Sequence, residues 1–288
     1  MVLDSVRYTL DKIVSTIGEL PAVPAVMNAA MALTSNLESN TADIVRVLSS
    51  DQSLTAKVLR IANSPFYGRM KDVQTVHEAV ITLGFEGLRS IVIAGSAHKL
   101  YCTEGESKTQ DKLWKHSLST AIAGRQISDH LGHPESEEIF IAALLHDIGK
   151  LVMLKKFPEW YQQVVDEVEE KKCSFRQVEH RVFHFDHTDV ASLLLAEWGF
   201  PVPLVRAVSR HHRPPSFRRG SYIPIAQVVN LANYMAKLLE VGFKDKKIEP
   251  LECVPSAIDM GLDQDELDEI LEKLRAGFEA ESRVFESP

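Results

Sequence analysis

The chain has 288 residues, 45% of them hydrophobic and 25% charged, a balance that supports a sizeable globular core. Its net charge of −8 argues against general nucleic-acid binding, which needs a basic face. It has no run of about 18 apolar residues and no apolar leader at Met1–Arg7, so neither a membrane span nor a signal peptide is expected.

Apolar residues recur at three- and four-residue spacing along nearly the whole chain, with no sustained alternation, and predict an all-α protein. Val23, Val26, Met27, Ala30 and Leu33 mark a helix after Leu20-Pro21, with Pro24 in its first turn. Ile44, Val47 and Leu48 mark a second, capped by Asn40 or Thr41. Leu54, Val58, Leu59 and Ala62 mark a third, ended by Asn63-Ser64-Pro65. Val76, Ala79, Val80 and Leu83 mark a fourth, closed by Gly84, after which the apolar run Leu88–Leu100 continues helically.

The polar stretch Cys102–Asp111 is the best internal boundary. It divides a helical N-terminal half (1–105) from a second half (106–242), with an acidic helical tail (243–288). Helices are expected over 112–131, 135–154, 158–171, 174–180, 187–198, 201–211 and 222–241. The tail helix should dock its Leu267/Ile270/Leu271/Leu274 face on the body or on a second subunit, because an isolated helix of that length is marginal in water. Cys102, Cys173 and Cys253 are odd in number and far apart, which suggests a reducing cytoplasm rather than disulfides or a zinc cluster.

The chemistry concentrates in Ala142–Lys150, where an apolar helical run meets His146-Asp147 and then Gly149-Lys150. Polar groups on a buried helix are costly unless paired or metal-bound. His116, His187 and the pair His211-His212 lie near other helix ends, the way a helical bundle assembles a metal site at its centre. Imidazole and carboxylate without thiolate suit iron or manganese ahead of zinc, as one ion or two. A single helical histidine is more often core or surface, and His77, His98, His130, His133, His180 and His184 are read that way.

Leu145-His146-Asp147-Ile148-Gly149-Lys150 resembles the signature of the HD superfamily of metal-dependent phosphohydrolases. The surrounding chain resembles its HDOD branch, the HD-related output domain of bacterial signalling proteins. The resemblance rests on Leu20–Pro24, Asp51–Thr55, Leu59–Ser64, Ala79–Gly84, Trp114–Ser117 and Trp198–Pro201, and spans about residues 15–240. It implies an HD-type helical bundle preceded by an N-terminal helical subdomain. By position it implies metal ligands at His116, His146 and Asp147, with His187, His211 and His212 added in related multi-metal sites. It also places a lysine at Lys150, which could neutralise charge on a phosphoryl group.

This sequence departs from the superfamily pattern twice. Asn233 aligns where the last ligand is usually an aspartate, and Lys112 stands where some multi-metal relatives carry a glutamate. The resemblance and these departures imply a signalling module that binds metal and acts through protein partners or an anionic ligand. The alternative is a phosphohydrolase or phosphodiesterase acting on nucleotides or cyclic dinucleotides. No direct nucleic-acid binding or membrane insertion is expected. The first half offers a second candidate site in the aromatics of Asn63–Gly68, although the favoured reading is that Phe66 and Tyr67 pin a helix corner into the core.

Overall fold

The computed structural model describes residues 13–35, 45, 48, 52–64, 73–102, 107–243 and 249–286. Thirteen α-helices are bounded among these: α1 (Ala25–Ser35), α2 (Gln52–Ala62), α3 (Val76–Tyr101), α4 (Lys108–Leu131), α5 (Ser136–Leu145), α6 (Ile148–Lys156), α7 (Pro158–Lys171), α8 (Phe175–Phe183), α9 (His187–Glu197), α10 (Val202–Arg210), α11 (Ile225–Lys237), α12 (Pro255–Met260) and α13 (Gln264–Glu286). Residues 13–17 are helical as well, and no strand occurs among the described residues. The expected cap at Asn40 or Thr41 and the aromatics Phe66 and Tyr67 lie outside the described residues.

In the first half, α1 and α2 pack on α3. A reciprocal capping box between Thr75 and Glu78 opens α3. Gly84, with φ 71° and ψ 176°, leaves helical geometry, so α3 is two helical stretches joined by a kink at the stop expected there, in a conformation that a side chain would strain. By length and composition α3 is long and apolar enough to cross a membrane. However, 61% of its most apolar window is buried inside the protein, as in a core helix.

Two of the marks that carry the family resemblance turn out to be clamps. The Asn63 amide donates to the Val73 carbonyl at 2.7 Å and accepts from the Val73 N–H at 2.8 Å, joining the end of α2 to the approach to α3. The Trp198 indole N–H donates to the Pro21 carbonyl at 2.8 Å, tying the N-terminal segment to the second half.

In the second half, α4 is the central helix, with α5, α11 and α13 packed around it and α9 lying against α6 and α10. One apolar core runs from Met27, Val58 and Ile91 through Leu118 and Leu144 to Leu194 and Leu274. The helix expected over 135–154 is in fact two. α5 ends at Leu145, Asp147 leaves helical geometry with φ −105° and ψ 11°, and α6 starts at Ile148. This break turns His146 and Asp147 to the same place, which an unbroken helix would not do for adjacent residues. The tail helix α13 docks on the body of its own chain, burying Leu267, Ile270, Leu271, Leu274, Phe278 and Phe285.

Candidate metal centre

Four elements converge on Asp147. His116 comes from the middle of α4, His146 from the C-cap of α5, His187 from the first position of α9, and His211 and His212 from the end of α10. The donor atoms fall into two groups that share Asp147: His116 and His146 on one side, His187, His211 and His212 on the other. Asp147 Oδ2 is 3.3 Å from His146 Nε2 and 3.6 Å from His116 Nε2, while Oδ1 is 3.3 Å from His187 Nε2 and 3.8 Å from His211 Nε2. All six residues expected from the sequence are therefore brought together, with Asp147 shared by both groups.

The rings are held with Nε2 pointing inward. His146 Nδ1–H donates to the Ala143 carbonyl at 2.6 Å, and His211 Nδ1–H to the Val208 carbonyl at 2.7 Å. Because a carbonyl only accepts, both rings carry their proton on Nδ1 and present a lone pair on Nε2. His187 Nδ1 meets Glu179 Oε2 at 2.6 Å, and Glu179 also accepts from the His187 backbone N–H and the Tyr161 hydroxyl. A buried carboxylate behind a ligating imidazole fixes its orientation and raises its basicity.

Glu179 is the functional residue that sequence reasoning missed. The signal was present: α8 has its apolar stripe at Phe175, Val178, Val182 and Phe183, and a fully buried glutamate occupies position 179 of that stripe.

Gly149 makes this geometry possible. A Cβ there would lie 2.0 Å from the His187 carbonyl oxygen, so only glycine lets α6 approach the start of α9. Lys150 Nζ donates to Asp147 Oδ2 at 2.6 Å and sits 4.3 Å from the centre of the Phe175 ring.

The electrostatics suit a cation. Burial, then repulsion from neighbouring positive groups, holds His211 and His212 well below the usual histidine range. Burial does the same for His116 against the pull of Asp147. Burial alone would raise the Asp147 pKa, but His146 and Lys150 outweigh it and hold the carboxyl well below its ordinary value. Near neutral pH His116, His211 and His212 are thus neutral imidazoles beside a carboxylate. His146 Nε2, His211 Nε2 and Asp147 Oδ1 are buried without a hydrogen-bond partner. Such atoms are costly without a partner, and a divalent cation would supply one to either donor group.

Asn233 Oδ1, on α11, is likewise buried and without a hydrogen-bond partner, and it lines the cavity that opens over the centre. Lys112 points elsewhere, to Glu169 at 2.7 Å. The cavity holds about 620 Å3. It is lined by Lys150, Lys172, Arg176, Arg213, Lys237 and His212 among others, with no acidic residue in its wall among the described residues.

The histidines read as core or surface stay apart from the centre. His98 faces Lys57, His130 faces Glu266, and His133 Nε2–H donates to the Ile223 carbonyl. His180 lies with Asp186 and Asp189, but Asp186 is committed to Arg176 at 2.6 Å and to capping α9 through Thr188.

The fold and donor set define an all-helical protein built around a buried histidine–aspartate centre that could hold a divalent metal. The chain belongs to the HDOD domain family, whose model matches residues 20–214. It is similar to an HDOD domain protein of unknown function from Geobacter sulfurreducens, with 26% identity, 98% of each chain covered and a TM-score of 0.80. It is also similar to a candidate phosphohydrolase from Shewanella amazonensis, with 25% identity, 95% of this chain and 98% of that one covered, and a TM-score of 0.73. An uncharacterized protein of Treponema pallidum is 24% identical over 230 residues, which are 79% of this chain and 44% of that protein. The chain thus spans less than half the length of that relative.

Proposed function

We propose that this chain is a regulatory HDOD module that binds a divalent metal, iron or manganese ahead of zinc, through His116, His146, Asp147, His187, His211 and His212. One observation carries the reading: buried donor atoms of Asp147 and of a histidine in each of its two groups have no hydrogen-bond partner. An imidazole–carboxylate set without thiolate fits the preferences of iron and manganese. The cationic cavity wall suits an anionic ligand, and regulation then runs through protein partners that sense the loaded state.

A bound metal in such a centre supplies Lewis acidity and lowers the pKa of a bound water. The chain's own part is to orient each Nε2, to hold Asp147 ionised and to place the Lys150 ammonium beside the mouth. Asn233 stands where the family pattern calls for an aspartate, and a neutral amide oxygen holds a divalent ion less firmly than a carboxylate. That loss favours binding over turnover.

The second reading is a phosphohydrolase acting on nucleotides or cyclic dinucleotides, favoured by Lys150 at the centre and by the similarity to the Shewanella protein. Metal analysis of the purified chain, paired with phosphodiesterase and nucleotidase assays in Mn2+ and Fe2+, separates the two. The module reading expects bound metal that is lost in Asp147→Ala, with no substantial turnover. Robust turnover abolished by Asp147→Ala overturns it in favour of the enzyme, and metal-free protein removes the centre from both.

A further inference from the structure

Between Trp198 and Leu239 the chain has no aspartate or glutamate, yet it carries Arg206, Arg210, Arg213, Arg218, Arg219 and Lys237. In a protein of net charge −8 this is a local reversal of sign. Arg206 and Arg210 lie one turn apart on the outer face of α10, both exposed. Among the described residues neither has an ion pair, whereas Arg89, Arg125, Arg176 and Arg181 each hold a carboxylate.

Between these two arginines opens a groove of about 420 Å3, walled by Pro203, Pro215, Tyr222 and Pro224 with Ala207 and Ile225. Tyr222 is 56% exposed, and Val202, which begins the same helix, is 60% exposed. The Tyr222 hydroxyl donates to Glu135, which fixes one wall, and the prolines stiffen the others, so little order has to be gained on binding. Apolar surface rimmed by unpaired cations is the pattern of a protein-docking patch.

We propose that this face of α10 docks an acidic polypeptide segment, which places one apolar side chain in the groove between Arg206 and Arg210. The inference deepens the partner part of the regulatory reading and rests on it. Charge selects the partner class: arginine forks pair with carboxylates, and the surrounding anionic protein repels a long nucleic-acid backbone. The helix also suits a regulatory contact. Its opposite face buries Leu204 and Val208, and its C-cap is His211, so a partner on α10 holds the element that delivers two of the six donors.

The test is fluorescence anisotropy on the full chain, with a short labelled peptide of glutamates flanking one phenylalanine. Saturable, salt-sensitive binding is expected, about tenfold weaker in R206E/R210E and retained in R206K/R210K. Melting temperature and metal content should be unchanged in both variants. No binding, or equal binding by the charge-reversed variant, overturns the proposal. So does single-stranded DNA binding more tightly than the peptide, which assigns the face to nucleic acid. Self-association abolished by R206E/R210E would assign it to a second copy and also overturns it. Peptide binding by metal-free protein would leave this surface standing and the metal reading failed; metal without peptide binding is the converse.

Discussion

The two halves of the molecule bury different things. The helices α1–α3 bury chiefly aliphatic side chains, and Lys57 is their one buried charged group among the described residues. The helices α4–α11 bury Asp147, Lys150, Glu179 and Asp186 together with His116, His133, His146, His187 and His211. A core could be built without any of these, as the first half shows. Burying charge is costly, and in the second half nearly every group finds a specific partner or joins the centre. The contrast separates packing scaffold from site.

The contrast can be broken at its tightest point first. Gly149→Ala puts a Cβ 2.0 Å from a backbone oxygen that cannot rotate away, so α6 and α9 must part. A loss of about 3 kcal/mol or more in denaturant unfolding is expected, with loss of bound metal. An unchanged midpoint would show that the two helices are not held as described.

Glu179→Gln is a finer probe. It keeps the shape of the side chain but removes the charge behind His187, so metal affinity should fall about 10–100-fold in a competitive chelator titration. The fold should survive as judged by circular dichroism. An unaltered affinity would make Glu179 a structural partner only.

Glu281 sharpens the comparison from outside the centre. It lies on the buried side of α13, and burial raises its pKa from 4.5 to about 7 against the pull of Arg125, while its Oε2 has no hydrogen-bond partner. The sign follows from linkage: a carboxyl with a raised folded pKa holds a proton that the unfolded chain has already lost. Its ionisation therefore costs stability progressively as pH rises from about 4.5 through 7. Glu281→Gln should stabilise the protein by about 2 kcal/mol at alkaline pH and very little in acid. The same gain at both pH values would mean that packing, not charge, is the cause. His116, His211 and His212 act in the opposite sense, since their lowered pKa values make the metal-free protein less stable as pH falls below 6.5.

Much of this was legible in the residues. The helical spacing of apolar side chains gave the class and most helix positions, because burying one face leaves a period that composition cannot hide. Pro158–Lys171 matches its expected span, and the tail face Leu267/Ile270/Leu271/Leu274 is buried as its periodicity indicated. The six donors stood out because histidine and aspartate are expensive on otherwise apolar helices. Other features were not legible. The split of 135–154 depends on where Gly149 meets the His187 carbonyl, a contact between residues far apart in the chain. The stop at Gly84 was legible, since Gly84 does leave helical geometry, but that the next stretch continues from the kink through Tyr101 was not.

The sequence by itself determined an all-helical chain with an HDOD pattern and a set of costly polar residues, since these follow from local periodicity and residue chemistry. Only the tertiary structure decided that those residues meet on the two oxygens of Asp147, that Glu179 stands behind His187, and that unpaired arginines line the back of α10. Contacts across tens to hundreds of residues are set by how helices pack, and no local spacing encodes them.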